Sequence, residues 1–148
     1  MTDVKDIEKI LDERGVYVST TSGVSMMPML RDRRDTIVVK RAEQRLKKYD
    51  VVLYRRGDSY VLHRVIKVLP DSYVIRGDNC IAREYGIKDS DVLGVLCEFY
   101  RGERHIKVNK RSYRAYSVFI CMAHPIVVLM WKIRPFLHRK RKKDPEKN

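Results

Sequence analysis

The segment "DVVLYRRGDSYVLHRVIKVL" (residues 50–69) predicts two strands joined by a hairpin turn. Both arms are rich in Val, Leu, Ile and Tyr, and the "RRGDS" step (55–59) between them has the composition of a tight turn. Alternate residues of a strand share a face, so Val61, His63 and Val65 are predicted to lie on one side of the second arm. A histidine between valines on a strand is more often a core or surface residue, so this arrangement alone assigns no chemistry to His63.

Similar segments recur through most of the chain and define the fold class. Each is rich in Val, Ile and Tyr and is bounded by Gly, Asp, Asn or Pro, which is typical of strands and turns. They are "VYVST" (16–20), "DTIVVKR" (35–41), "DSYVIRG" (71–77), "DVLGVLCEFYR" (91–101) and "ERHIKV" (103–108). The short connections favour antiparallel pairing. We therefore expect a mainly β protein with one antiparallel β domain over residues 16–110.

Both ends of this domain are predicted to carry helices. Val4, Ile7, Ile10 and Leu11 recur at helical spacing before Gly15, so the element over 1–15 contains a short amphipathic helix (3–14). Eight of its fifteen residues are charged, which excludes a signal peptide or an N-terminal membrane span. Residues 111–148 form the third unit, an apolar helical segment with a polybasic tail.

Charge is distributed unevenly along the 148 residues. Residues 1–98 contain 18 Lys and Arg against 16 Asp and Glu, whereas residues 99–148 contain 14 against 3, so most of the net charge of +13 lies in the last third. A nucleic-acid-binding protein more often carries its basic charge on the folded body. A basic tail beside an apolar run favours a membrane surface, and we expect no nucleic-acid partner.

Three cysteines, Cys80, Cys97 and Cys121, are widely spaced and form no CxxC motif. This pattern argues against a disulfide framework or a zinc site and indicates a reducing compartment. We expect neither a metal nor a cofactor.

The apolar run "AYSVFICMAHPIVVLMW" (115–131) admits three interpretations. It is 17 residues without a formal charge, and eight of the next sixteen residues are Lys or Arg. It could be a tail-anchor span, an interfacial helix or a helix packed on the sheet. A span needs about 20 apolar residues, and His124-Pro125 interrupts the run. One apolar segment with a polybasic patch can hold a protein at a membrane, so we expect membrane contact through 115–143, with the body on the cytoplasmic side.

The turn "SGVSMMPML" (22–30) places Ser25 among apolar neighbours. A serine hydroxyl is a weak nucleophile and needs a base within hydrogen-bond reach. His63 is the candidate base, and the Ser25 N–H is a candidate donor to a developing oxyanion. The methionines around Ser25 either form the wall of a site or fill the core.

Four segments, "SGVSMMPML", "DVVLYRRGDSYVLHRVI", "YVIRGDN" and "DVLGVL", occur in this order between about Val16 and Val95. Together they resemble the signal peptidase I and LexA-type serine peptidase superfamily. The resemblance implies an antiparallel β-ribbon fold and a serine endopeptidase. Bacterial signal peptidases and LexA-type proteins carry a lysine at the base position, whereas archaeal and endoplasmic-reticulum-type signal peptidases carry a histidine. "HRV" (63–65) is most similar to the Ser-His type.

Site roles follow from this resemblance. Ser25 is expected to be the nucleophile, His63 the general base, and an acidic residue the group that orients the imidazole. Asp78 in the "GDN" turn is favoured for that task, with Glu84 as its rival, because relatives carry a second aspartate five or six residues beyond the first. Asp78 as a simple turn former is also open. Arg64 is expected to support packing or to meet an acidic partner.

The resemblance further implies a protein or peptide substrate bound as an extended strand, such as a signal or leader peptide. Two other functions are open. One is a LexA-like self-cleaving intracellular regulator, although the 24 residues before Ser25 are too few for a helix-turn-helix domain. The other is a non-catalytic module with the same fold that binds membranes or nucleic acid through its basic end.

Overall fold

The computed structural model describes residues 4–141, in which a mainly β, antiparallel fold is flanked by two helices. This confirms the predicted fold class. Helix α1 spans Val4–Arg14 and helix α2 spans Arg111–Arg141, and a 3₁₀ turn covers Asp89–Asp91. The strands are β1 (Val16–Thr20), β2 (Asp35–Arg41), β3 (Val51–Arg56), β4 (Ser59–Val68), β5 (Tyr73–Arg76), β6 (Glu84–Ile87), β7 (Val92–Arg101) and β8 (Arg104–Lys107).

The strands form one curled, half-barrel sheet in the order β1-β2-β7-β3-β4-β5-β6. Strand β7 is long enough to serve two partners on one side. Its first part pairs with β3, whereas its last part pairs with β8, and β2 follows it along the other side. Strand β1 therefore lies at one end of the sheet and β6 at the other.

The predicted β3–β4 hairpin sets the position of His63. Arg56 pairs with Ser59 across the turn, where Gly57 has a φ of +58° that favours glycine. In this register Tyr54 pairs with Val61 and Val52 pairs with His63. Tyr54 and His63 are therefore diagonal neighbours on the same face of the sheet.

Hydrophobic cores cover both faces of the sheet, which explains why every residue from Val51 to Tyr54 is buried. Val51 and Leu53 face the larger core with α1, whereas Val52 and Tyr54 face a smaller core with Val65 and Ile75. A strand covered on both faces is apolar at successive positions rather than at alternate ones. Strand β3 is thus the structural centre of the domain.

Helix α2 packs on the β domain through one stripe of its surface. Ser117, Ile120 and His124 lie on that stripe and are buried, while Phe119 and Met122 on the outer side are exposed. The helix continues through Pro125 to Arg141.

Residues Arg111–Met130 are long and apolar enough to cross a membrane, with a mean hydropathy of 1.4. The predicted helix over 3–14 and the polybasic tail extend beyond the described residues at Asp3 and at 142–148.

Candidate active site

A cleft of about 450 Å³ brings Ser25 and His63 to one surface. Ser25 is partly exposed, whereas the imidazole of His63 is only 4% exposed. Apolar side chains of α1, β1, β2 and the hairpin form most of the wall; they include Ile7, Tyr17, Ile37, Leu53, Tyr60 and Leu62. Met26 also lines the cleft while belonging to the larger core, so it serves both roles that the sequence suggested for these methionines.

The turn that carries Ser25 is attached to the turn that contains Asn79. The main-chain N–H of Asn79 donates to the Ser25 carbonyl (2.8 Å), and its side-chain amide donates to the Val24 carbonyl (3.1 Å). Gly23 has a φ of +90°, and its N–H donates to Asp32 (2.7 Å). These bonds fix the main chain on both sides of Ser25 and leave its side chain at the cleft.

Hydrogen bonds at the base of this loop close it into a compact unit. Thr21 N–H donates to the Asp35 carbonyl (2.9 Å), and Arg31 binds the Asp35 carboxylate (2.7 Å). Burial raises the pKa of the Asp35 carboxyl, but the hydrogen bonds from Arg31 outweigh this effect and hold that pKa below its ordinary value. The loop over 21–35 is therefore closed by a charged pair whose carboxylate is buried and whose guanidinium is partly exposed.

Gly77 lies where the turns and the imidazole meet. A Cβ at this position would lie 2.7 Å from the Ser25 carbonyl oxygen, 2.7 Å from Cys80 Sγ and 3.0 Å from His63 Nε2. Only glycine leaves room there. Because the same point lies close to both the Ser25 carbonyl oxygen and His63 Nε2, this nitrogen faces the Ser25 turn. The Ser25 hydroxyl makes no hydrogen bond to His63 within the described chain. Such pairs often close only when substrate binds.

The other imidazole nitrogen faces a carboxylate. His63 Nδ1 lies 3.1 Å from Glu84 Oε1, and the Tyr54 hydroxyl donates to the same oxygen at 2.6 Å. Arg56 also donates to it, at 3.3 Å. These contacts assign the proton to Nδ1 and the lone pair to Nε2. This is the tautomer that a general base toward Ser25 requires.

Burial lowers the pKa of His63 below its ordinary value of about 6.5, while the nearby Glu84 carboxylate opposes that shift. The imidazole is therefore neutral at pH 7 and able to accept a proton. Glu84 lies close enough to stabilise the imidazolium once the proton has moved.

The preference for Asp78 as the orienting acid does not agree with the observed contacts. Both of its oxygens accept from Arg64, from Nε and from Nη2, each at 2.7 Å. Arg64 and Asp78 are almost fully buried, so this carboxylate is committed to the guanidinium. The rival residue, Glu84, is the one in contact with His63. The acidic partner expected for Arg64 is Asp78.

Three further residues at the site were not singled out from the sequence: Tyr54, Arg56 and Cys80. Tyr54 could have been found from the sequence, because the "RRGDS" turn fixes the hairpin register, and this register makes Tyr54 a diagonal neighbour of His63. Cys80 follows the "GDN" turn, lines the cleft and is not in a disulfide. Among residues 4–141, no group of three His, Cys, Asp or Glu side chains is arranged to hold a metal ion.

Comparison of the chain with protein-family models and with curated proteins gives no match. The site is therefore interpreted from its own residues and geometry.

Loss of charge at the two acids is expected to lower the free energy of unfolding by different amounts. Asp78→Asn leaves the buried guanidinium of Arg64 without its counter-ion, so we expect it to lower the free energy of unfolding by about 3–5 kcal/mol. Glu84→Gln, at a partly exposed position, is expected to cost about 1 kcal/mol. Urea unfolding of both variants measures the difference. Equal losses in the free energy of unfolding would contradict the assignment of Asp78 to Arg64 and of Glu84 to His63.

Proposed function

We propose that this protein is a serine endopeptidase of signal-peptidase type that acts through Ser25, His63 and Glu84. One observation carries the proposal: His63 bonds Glu84 through Nδ1 and turns Nε2 toward the Ser25 turn, at the wall of an open cleft. A nucleophile, a base and a group that orients the base are the three parts that serine hydrolysis requires.

The reaction follows from this geometry. Ser25 Oγ attacks the scissile carbonyl carbon while His63 Nε2 takes the hydroxyl proton, and Glu84 stabilises the imidazolium. When the tetrahedral intermediate collapses, the C–N bond breaks and His63 gives the proton to the leaving amine. Water, activated by the same base, then releases the acyl group and restores Ser25.

The main-chain N–H of Ser25 is the candidate oxyanion donor. Within residues 4–141 it has no main-chain acceptor, whereas the N–H groups of Met27 and Leu30 bond the carbonyls of Val24 and Met26. A free donor at the nucleophile itself lies close to the carbonyl oxygen of a bound substrate.

Strand β1 supports binding of an extended peptide. It pairs with β2 along one edge, and its residues Ser19 and Thr20 line the cleft. A peptide that adds to a sheet edge gains main-chain hydrogen bonds and places alternate side chains on the protein surface. The apolar wall suits the apolar residues of a signal or leader peptide, and the sequence resemblance supports the same substrate class.

Helix α2 supports contact with a membrane surface rather than a span. Among the side chains that the structure describes, its hydrogen bonds to the domain run from Tyr113 to His124, and about seven residues separate His124 from the basic segment that begins at Lys132. A span needs about 20. An amphipathic helix with an exposed apolar side and a basic continuation instead suits the interface of an anionic bilayer.

Labelling with a fluorophosphonate probe tests the catalytic proposal. The wild-type protein is expected to be acylated at Ser25, Ser25→Ala to be unlabelled, and His63→Ala to react about 10²–10⁴ times more slowly because the base is lost. Ser90→Ala and His105→Ala change an exposed serine and histidine outside the cleft and serve as matched controls. Wild-type labelling that persists in Ser25→Ala would exclude this nucleophile.

The same variants tested on a presecretory peptide distinguish the alternatives. Cleavage of the added peptide supports a signal-peptidase-type enzyme. Cleavage confined to the protein's own chain would instead support a self-cleaving regulator.

The pH dependence of kcat/KM follows from the lowered pKa of His63. Activity requires the neutral imidazole, so the rate rises as pH increases through that pKa, and the midpoint is expected below 6.5. Glu84→Gln removes the influence that raises the pKa, so its midpoint is expected at still lower pH, with a smaller plateau rate. A wild-type midpoint above 7, or a higher midpoint in Glu84→Gln, would contradict the assigned pair.

Sedimentation with lipid vesicles tests the membrane surface. The full chain is expected to bind phosphatidylserine-containing vesicles more tightly than phosphatidylcholine vesicles, and less tightly as salt increases. Phe119→Ser with Met122→Ser is expected to weaken binding about tenfold, since apolar area at the interface is lost. Tyr85→Ser, an equally exposed residue on β6, is the control. Equal binding by all three proteins would contradict this surface.

A further inference from the structure

Helix α2 contacts the candidate site from behind at two polar points. The Ser117 hydroxyl accepts a hydrogen bond from Arg64 Nη1 (2.8 Å), and His124 Nε2 donates to the Cys80 carbonyl (2.7 Å). Both helix residues are buried. Neither Ser117 nor His124 lines the cleft, and the proposed reaction uses neither of them.

The first point supports the strand of the base. Arg64 follows His63 on β4, and its guanidinium bonds Asp78 through Nε and Nη2 and the Tyr49 carbonyl through Nη1. Ser117 provides a further acceptor for Nη1. Because the Ser117 hydroxyl donates its own proton to the Tyr113 carbonyl (3.0 Å), its oxygen lone pairs are left to accept from Arg64. The helix thus completes the hydrogen bonding of a buried cation.

The second point supports the turn of the nucleophile. Cys80 is the last residue of the turn over 77–80, and its N–H donates to the Gly77 carbonyl (3.0 Å). The neighbouring Asn79 donates to the Ser25 carbonyl. His124 therefore holds this turn one residue away from the bond that fixes Ser25.

We infer that α2 is part of the catalytic apparatus, in which Ser117 and His124 are positioning residues for the Ser25–His63 pair. This inference rests on the proposed function. Neither residue touches the reacting atoms. Each acts through a buried link, Ser117 through Arg64 to β4 and His124 through Cys80 to the turn that holds Ser25. Detachment of α2 would then lower activity while the sheet remains folded.

The test compares three variants of the full-length protein. His124→Leu removes the donor to the Cys80 carbonyl and is expected to slow fluorophosphonate acylation of Ser25 about tenfold or more, because small displacements of a nucleophile cost large factors in rate. His124→Gln keeps an N–H at a similar reach and is expected to react within about twofold of the wild type. Ala115→Ser changes an exposed residue of the same helix and is the control.

Amide hydrogen exchange provides a readout that does not require catalysis. In His124→Leu the Asn79 amide is expected to exchange faster, whereas Leu96 in the core keeps its wild-type protection. His124→Gln is expected to restore slow exchange at Asn79.

The outcomes separate the two proposals. Wild-type rates of acylation and exchange in His124→Leu would overturn the positioning role and leave the proposed function standing. Absence of labelling in the wild type would overturn the proposed function, and exchange at Asn79 would still decide whether the helix holds the turn. Equal loss in His124→Leu and His124→Gln would also overturn the role assigned to the Nε2 hydrogen bond.

Discussion

The buried ion pair between Arg64 and Asp78 is the interaction on which the site depends. Arg64 follows His63 on β4, and Asp78 precedes Asn79, whose amide bonds the Ser25 carbonyl. The bidentate pair therefore joins the strand that carries His63 to the turn that is bonded to the Ser25 main chain. Buried ion pairs contribute little net stability, but their planar geometry is strict. The main effect of the Arg64–Asp78 pair is to fix the orientation of β4 relative to the turn over 77–80, to which the distant Ser25 turn is bonded.

Strand alternation explains how two carboxylates near one histidine serve different partners. His63 and Arg64 are consecutive on β4, so their side chains leave opposite faces of the strand. Asp78 lies on the side of the guanidinium. Glu84 begins β6, which folds back on β5 and brings the carboxylate to the imidazole side. Asp78 binds Arg64 through both of its oxygens, and Glu84 is therefore the carboxylate that bonds His63.

The sequence predicted the strands closely because a run rich in Val, Ile and Tyr between turn residues is a local pattern, and strands β1 and β2 have the predicted bounds. Strand β6 was missed because "EYGI" (84–87) is a short edge segment with a glycine and no buried run. A local sequence pattern could not predict whether Asp78 or Glu84 bonds His63. The outcome depends on which face of β4 each acid meets after the chain has folded back. The packing of α2 on the domain could not be predicted either, because it depends on contacts between residues far apart in the sequence, such as Arg64 and Ser117.

The two polar residues in the apolar run of α2 are explained by its docked position. In a bilayer-spanning helix, Ser117 and His124 would enter hydrocarbon, where an unpaired polar group is costly, and Arg64 would lose one of its buried acceptors. Against the domain, both side chains have hydrogen-bond partners within 2.8 Å. A helix bound in this way keeps its polar stripe on the protein and its apolar stripe outside. The described part of α2 is therefore two-sided: its inner side bonds Arg64 and the Cys80 carbonyl, and its outer side is apolar and exposed.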